Sequence, residues 1–221
     1  MKFVLCLALG LAGGFFAVNC NAAIVYPQAP DGGWQAVSNA LDSKFFKPIT
    51  HLPPLNDLTI TRPFRVYWRS NYTNPPSESF LSATRLVGWR FLLSDGTNSA
   101  GVLLRYDDKK REWPVMGLSM YGPAPISIDP VLQTLRVAEN LPQVRKEDYE
   151  LRYLDFMDLQ FYAFWLHGKS NDVIIPVPVY GQWQDHRSYS EGEISAILKR
   201  EIEERMKQRK LFHAGPGIQV D

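Results

Sequence analysis

The residues of this chain best suited to chemistry are four histidines, His51, His167, His186 and His213, and a few carboxylates near two of them. No two of the histidines stand three or four residues apart, so no helix offers a paired metal site, and no metal is expected. His167 ends an apolar run, Trp165-Leu166-His167-Gly168, where an imidazole could act as a base or a ligand. A half-exposed histidine bonded to the backbone is the plainer reading of that position. His186 lies in Gln182-Trp183-Gln184-Asp185-His186-Arg187, a loop that mixes an aromatic ring, an acid, a base and a cation. Asp155 and Asp158 flank Phe156-Met157, a spacing at which two carboxylates could share a proton or hold a cation. A turn between strands also favours Asp for its own reasons. His167, His186, Asp155, Asp158 and Asp185 are therefore the candidates for a carboxylate/His hydrolytic centre.

A second set of residues suits binding rather than catalysis. Arg65, Tyr67 and Arg69 alternate with Phe64, Val66 and Trp68, so they share one face of a strand whose apolar face is buried. Arg85 precedes the next strand and Arg90 lies within it, so with the apolar alternates buried several Arg and Tyr, Arg90 among them, are expected to point outward on one sheet face. Arg and Tyr, with Trp183 in the later loop, combine area, hydrogen bonding and stacking, which favours them at binding surfaces. Charge that keeps an exposed sheet face soluble would look the same. No Gly-x-Ser-x-Gly elbow occurs, and neither Gly32-Gly33 nor Gly215-Pro216-Gly217 has the setting of a phosphate loop, so no cofactor is expected.

The elements that must position these groups follow from periodicity and punctuation. Trp34, Val37, Leu41 and Phe45 recur at helical spacing over residues 33–46, after an extended lead-in with Pro27 and Pro30. Strands follow at 64–69, 85–93, 100–106 and 113–121, with Asp95-Gly96 as the clearest hairpin turn. Asp129-Pro130 opens a helix, as an N-cap followed by a proline in the first turn, and Pro142 stops it. Tyr149, Leu151 and Tyr153 alternate with Glu150 and Arg152. Leu159 to Leu166 is almost wholly apolar and reads as a central strand covered on both faces. Val173 to Val179 alternates again, and Pro176 and Pro178 place it at an edge. Ser190 and Glu193 have capping-box spacing ahead of a last helix striped with Ile194, Ile197, Leu198, Ile202 and Met206.

The fold class expected is α+β: a mostly antiparallel sheet of about six or seven strands, helices packed on one face, and a C-terminal amphipathic helix. The expected divisions are a leader at 1–22, a lead-in with a short helix at 23–48, a core domain at 49–188, the last helix at 189–212 and a tail at 213–221.

The start of the chain bears on compartment. Lys2 precedes an uncharged run from Phe3 to Val18, and Cys20 and Ala22 stand at the −3 and −1 positions of a cut after Ala22. That is the layout of a secretory signal peptide, and the run is shorter than the roughly 20 residues of a membrane-spanning helix. Both cysteines, Cys6 and Cys20, lie before the cut, so the mature chain would carry no disulfide and no thiolate site. Lipid attachment through Cys20 is the alternative anchoring, with Asn19 an atypical neighbour for it. The chain has 24 basic and 23 acidic residues, and losing Lys2 balances them. Such a chain has no global field to gather phosphates, which argues against nucleic acid.

These readings describe an exported, secreted or periplasmic protein, soluble or peripherally attached to a bacterial-type envelope. Its mature part has no membrane span, and it binds or assembles with a protein or glycan of that envelope. A secreted hydrolase is the alternative.

Overall fold

The computed structural model describes residues 23–44, 52–68, 79–105, 114–120, 129–178, 183 and 186–213. Residues 1–22, expected to form a leader, His51, Arg69, Asp185 and the residues after His213 lie outside them. Among the described residues nine strands form one sheet in the order β5-β4-β3-β2-β6-β7-β8-β9, with the short β1 beside β6. The strands are β1 (Ile24–Val25), β2 (Ile60–Trp68), β3 (Arg85–Ser94), β4 (Ser99–Leu104), β5 (Val115–Met120), β6 (Tyr149–Phe156), β7 (Phe161–His167), β8 (Asp172–Pro176) and β9 (Tyr189–Ser190). Three helices accompany them: α1 (Gly33–Leu41), α2 (Asp129–Glu139) and α3 (Glu191–His213). Two antiparallel meanders, β2–β5 and β6–β9, meet at the parallel β2/β6 seam. The α+β class and the mostly antiparallel sheet are as expected.

Local chemistry accounts for the elements. The Asp95 carboxylate accepts from the backbone nitrogens of Thr97 (2.7 Å) and Asn98 (2.6 Å), and Gly96 takes a positive φ, which fixes the β3–β4 turn. At the start of α3, Ser190 N donates to Glu193 Oε2 (2.8 Å) and Glu193 N donates to Ser190 Oγ (3.3 Å), a reciprocal capping box. Beyond β8 the sheet gains β9, which pairs only with Val173 and Ile174. The expected edge is thus displaced by one short strand. Pro176 sits past that pairing, so its missing N–H disturbs no outer ladder.

The helices do not gather on one face. Val131, Leu135 and Ala138 of α2 pack with Tyr149, Leu151 and Tyr153 of β6 and with Phe164 and Leu166 of β7. Ile194, Leu198 and Ile202 of α3 pack with the alternate residues of those strands, Leu154, Phe156, Phe161, Ala163 and Trp165. Alternate residues of a strand point to opposite faces, so α2 and α3 cover opposite sides. Val37 and Leu41 of α1 pack on Trp89, Phe91 and Leu93 of β3. Trp89 is opposite Arg65, Arg65 opposite Arg152, and Arg152 opposite Trp165. Directly opposed residues share a face, which puts α1 on the side of α3. The reason lies in β6 and β7. Leu151, Leu154, Ala163 and Phe164 are all fully buried, and a strand apolar on both faces needs a layer on each. No described helix is long and apolar enough to cross a membrane.

Candidate functional site

On the face shared by α1 and α3, strands β2 and β6 bring polar groups between the two helix-covered patches. The register sets two rows across the sheet. Arg65, Arg152 and Trp165 form one; Glu150, His167 and Asp172 form the next. Arg65 Nη1 donates to Glu150 Oε1 at 2.9 Å, and Arg152 Nε donates to the same oxygen at 3.1 Å. The Arg152 guanidinium carbon lies 4.6 Å from the centre of the Trp165 ring and 5.1 Å from that of Tyr67. Those two rings meet edge to face at 5.2 Å. Arg65 lies 5.5 Å from the centre of Trp89. Stacking on rings shields the guanidinium faces and leaves their edges for hydrogen bonds.

Electrostatics fixes the charge states. Burial is the largest single influence on Glu150 and would raise its carboxyl. The hydrogen bonds and charges of Arg152 and Arg65 together outweigh it and hold the group below the ordinary glutamate value. Exposure is graded across the pair: the Arg152 side chain is 15% accessible and that of Arg65 36%.

The second row makes a His–Asp pair. Asp172 Oδ1 accepts from Trp165 Nε1 (2.8 Å) and lies 2.8 Å from His167 Nδ1. With Asp172 ionised, Nδ1 carries the proton in the neutral ring, which leaves Nε2 as an acceptor. His167 is thus the candidate that the structure places beside a carboxylate, and that carboxylate is none of those singled out in the sequence. Asp172 was findable: four residues, Gly168 to Asn171, separate it from His167, so a hairpin there makes the two direct partners. Glu150 and Arg152 were visible only as the polar half of an alternating strand.

The other candidates lie elsewhere. Arg90 is opposite Phe64, so it points to the α2 face, away from Arg65 and Tyr67; its guanidinium lies 5.1 Å from the centre of Tyr153. This corrects the expectation of one Arg/Tyr face including Arg90. The cause is the antiparallel register, which the two strands' separate patterns do not reveal. Asp155 is also on the α2 face. Burial raises its carboxyl above the ordinary aspartate value against the opposing pull of Arg90 and Arg105. Asp158 lies in the 3-10 turn Met157–Leu159, its side chain outside the described set. His186 sits against α2, with Nδ1 3.4 Å from Thr134 Oγ1. Trp183 packs edge to face on Phe161 (5.5 Å) and Tyr189 (5.8 Å). It borders a cleft of about 240 Å³ with Leu159, Ile197, Leu198 and Glu201 beside α3. Among the described residues, no three of His, Cys, Asp or Glu gather as metal ligands.

Comparison of the chain with protein-family models, with curated proteins and with solved structures finds no match to any of them.

Proposed function

We propose that this protein is an exported binding or assembly module of a cell envelope, and that it engages a protein or glycan partner through the sheet face bearing Arg65, Tyr67 and Arg152. One observation carries the reading: two guanidiniums on adjacent strands converge on a single Glu150 oxygen, in the gap that α1 and α3 leave uncovered. Arginine and tyrosine so placed supply directional donors and stacking area together. The uncharged run from Phe3 to Val18, followed by Cys20 and Ala22 at signal-peptide spacing, supports the envelope compartment. Arg65→Ala combined with Tyr67→Phe should abolish retention of a partner cross-linked to the mature protein in its native envelope, with the melting temperature changed by only a few degrees because Arg65 is half-exposed and the ring is kept. Undiminished cross-linking would refute the assignment of this face.

The hydrolase alternative has one observation in its favour, the His167–Asp172 pair, which presents Nε2 as an acceptor on the same face. Loss of a measured hydrolytic activity in His167→Ala, with the fold intact, would favour it over binding alone.

A further inference from the structure

The strongest feature that remains unexplained is the outward edge of Arg152. A guanidinium carries five N–H donors, and Arg152 uses only Nε–H, on Glu150. Among the described residues its Nη groups meet no acceptor, yet none of its nitrogens is sealed from the surface without a partner. Its guanidinium lies against the two touching rings of Tyr67 and Trp165. Arg65 likewise donates only through Nη1. Two guanidiniums held in place by rings and by one carboxylate, with their forks unfilled, are preorganised for a planar anion.

We propose that this pair receives the carboxylate of a sugar acid, an inference that rests on reading this face as a binding surface. Charge selects the anion. The hydrogen-bonded cluster of Arg65, Arg152 and Glu150 carries one surplus positive charge, and Asp172, one row away, opposes an anion more strongly the higher that anion's charge. A singly charged, planar carboxylate fits that surplus and the fork geometry, whereas a doubly charged phosphate meets repulsion from both acids. The rim selects the remainder of the ligand. Among the described residues, Glu150 Oε2, His167 Nε2 and the Tyr67 hydroxyl make no hydrogen bond, and all three belong to the same sheet face, in the row of the arginines or a neighbouring one. They suit ring hydroxyls. A peptide would need side-chain pockets, and the cleft described at Trp183 lies beside α3.

The test is calorimetric titration of the mature chain at low salt with tri-galacturonate, with neutral galactotriose and with tri-aspartate. The uronate should bind, and the other two should bind at least about tenfold more weakly, as loss of a charge-assisted contact implies. Arg65→Gln and Arg152→Lys should each weaken uronate binding by roughly tenfold or more; the lysine keeps the charge but loses the fork. If Arg152→Lys fails to fold, half-exposed Arg65 carries the test alone. No uronate binding, equal binding of the neutral sugar, equal or tighter binding of tri-aspartate, or an unaffected Arg65→Gln would each overturn the proposal. A cross-linked partner that is lost in the Arg65 and Tyr67 variants, with no uronate bound, removes the sugar acid and leaves the binding face standing. If partner retention is also insensitive to those variants, both readings fall.

Discussion

The backbone nitrogen of Ala23 donates to Asp148 Oδ1 at 3.0 Å, while Tyr149 N donates to Ala23 O at 3.2 Å, so Ala23 is fastened to the start of β6. Ala23 is also the first residue after the small-x-small pattern. Cleavage after Ala22 would replace an amide by an α-ammonium facing a carboxylate. An ammonium that gains such a partner has its pKa raised above the ordinary value of about 8. Its stabilisation is then complete below about pH 8 and is lost as pH rises through the folded-state value. The pair is exposed, so the effect is of the order of 0.2–1 kcal/mol. The melting temperature of a chain beginning at Ala23 should fall more between pH 7 and 10 than that of its N-acetylated form or of Asp148→Asn. Superimposable curves for the three would sink the prediction.

Asp155 should be a destabilising ion at neutral pH. Burial raises its carboxyl, and the attraction of Arg90 and Arg105 does not fully offset that. A carboxyl whose folded-state pKa is raised binds its proton more tightly when folded, so stability increases as pH falls through that value. Asp155→Asn should therefore be more stable than the parent at pH 7, and the difference should vanish by about pH 3, below the unfolded aspartate value. Urea melts at the two pH values check this. A variant less stable at pH 7 would mean that the attraction to the two arginines prevails.

Alternation within a strand gives the face of each residue relative to its neighbours, and so Phe64, Val66, Tyr149, Leu151 and Tyr153 were readable as buried. Capping chemistry is local, and Ser190 with Glu193 was readable for that reason. Register between distant strands is set by packing, not by either strand's pattern. Strand patterns alone therefore group Arg90 with Arg65 although the sheet separates them, and they give no sign that Glu150, 85 residues beyond Arg65, and Arg152 beside it meet Arg65 across a strand pair. The one-face arrangement failed against a signal already in hand. Reading Leu159–Leu166 as covered on both sides required a layer on each, and α2 and α3 supply them.

Two glycines should respond in opposite directions to the same change. A Cβ on Gly88 would sit 2.2 Å from the carbonyl oxygen of Leu104, in the β3–β4 ladder. Neither strand can move without breaking its bonds to the next, so Gly88→Ala should destabilise by more than about 2 kcal/mol. A Cβ on Gly192, in the first turn of α3, meets nothing within 4 Å. Gly192→Ala should stabilise by roughly 0.5–1 kcal/mol through helix propensity and lost unfolded-state entropy. Denaturant midpoints of the two variants check both signs, and a stable Gly88→Ala would contradict the β3–β4 register.

The most informative single substitution is Asp172→Asn, because one oxygen of Asp172 organises two rings. Trp165 Nε1 and His167 Nδ1 both reach Oδ1 at 2.8 Å. An asparagine has the same shape, but it loses the charge that strengthens both bonds, and its amide can turn a donor toward Nδ1. In the parent, nitrogen NMR should find neutral His167 with its proton on Nδ1. In Asp172→Asn the population should shift toward the tautomer with the proton on Nε2, and the Trp165 indole proton should exchange faster with solvent. Trp165 also lies against the Arg152 guanidinium, while the lost charge of Asp172 removes a repulsion from a bound anion, so a fall in the affinity of the sheet face would show that the loosened indole outweighs that gain. The histidine tautomer responds if the His–Asp pair is formed, whereas the change in affinity requires that the Arg152 fork be the binding element. An unchanged tautomer would remove the structural basis of the hydrolase alternative. A rise in affinity alongside a shifted tautomer would show that the lost charge of Asp172 outweighs any loosening of Trp165.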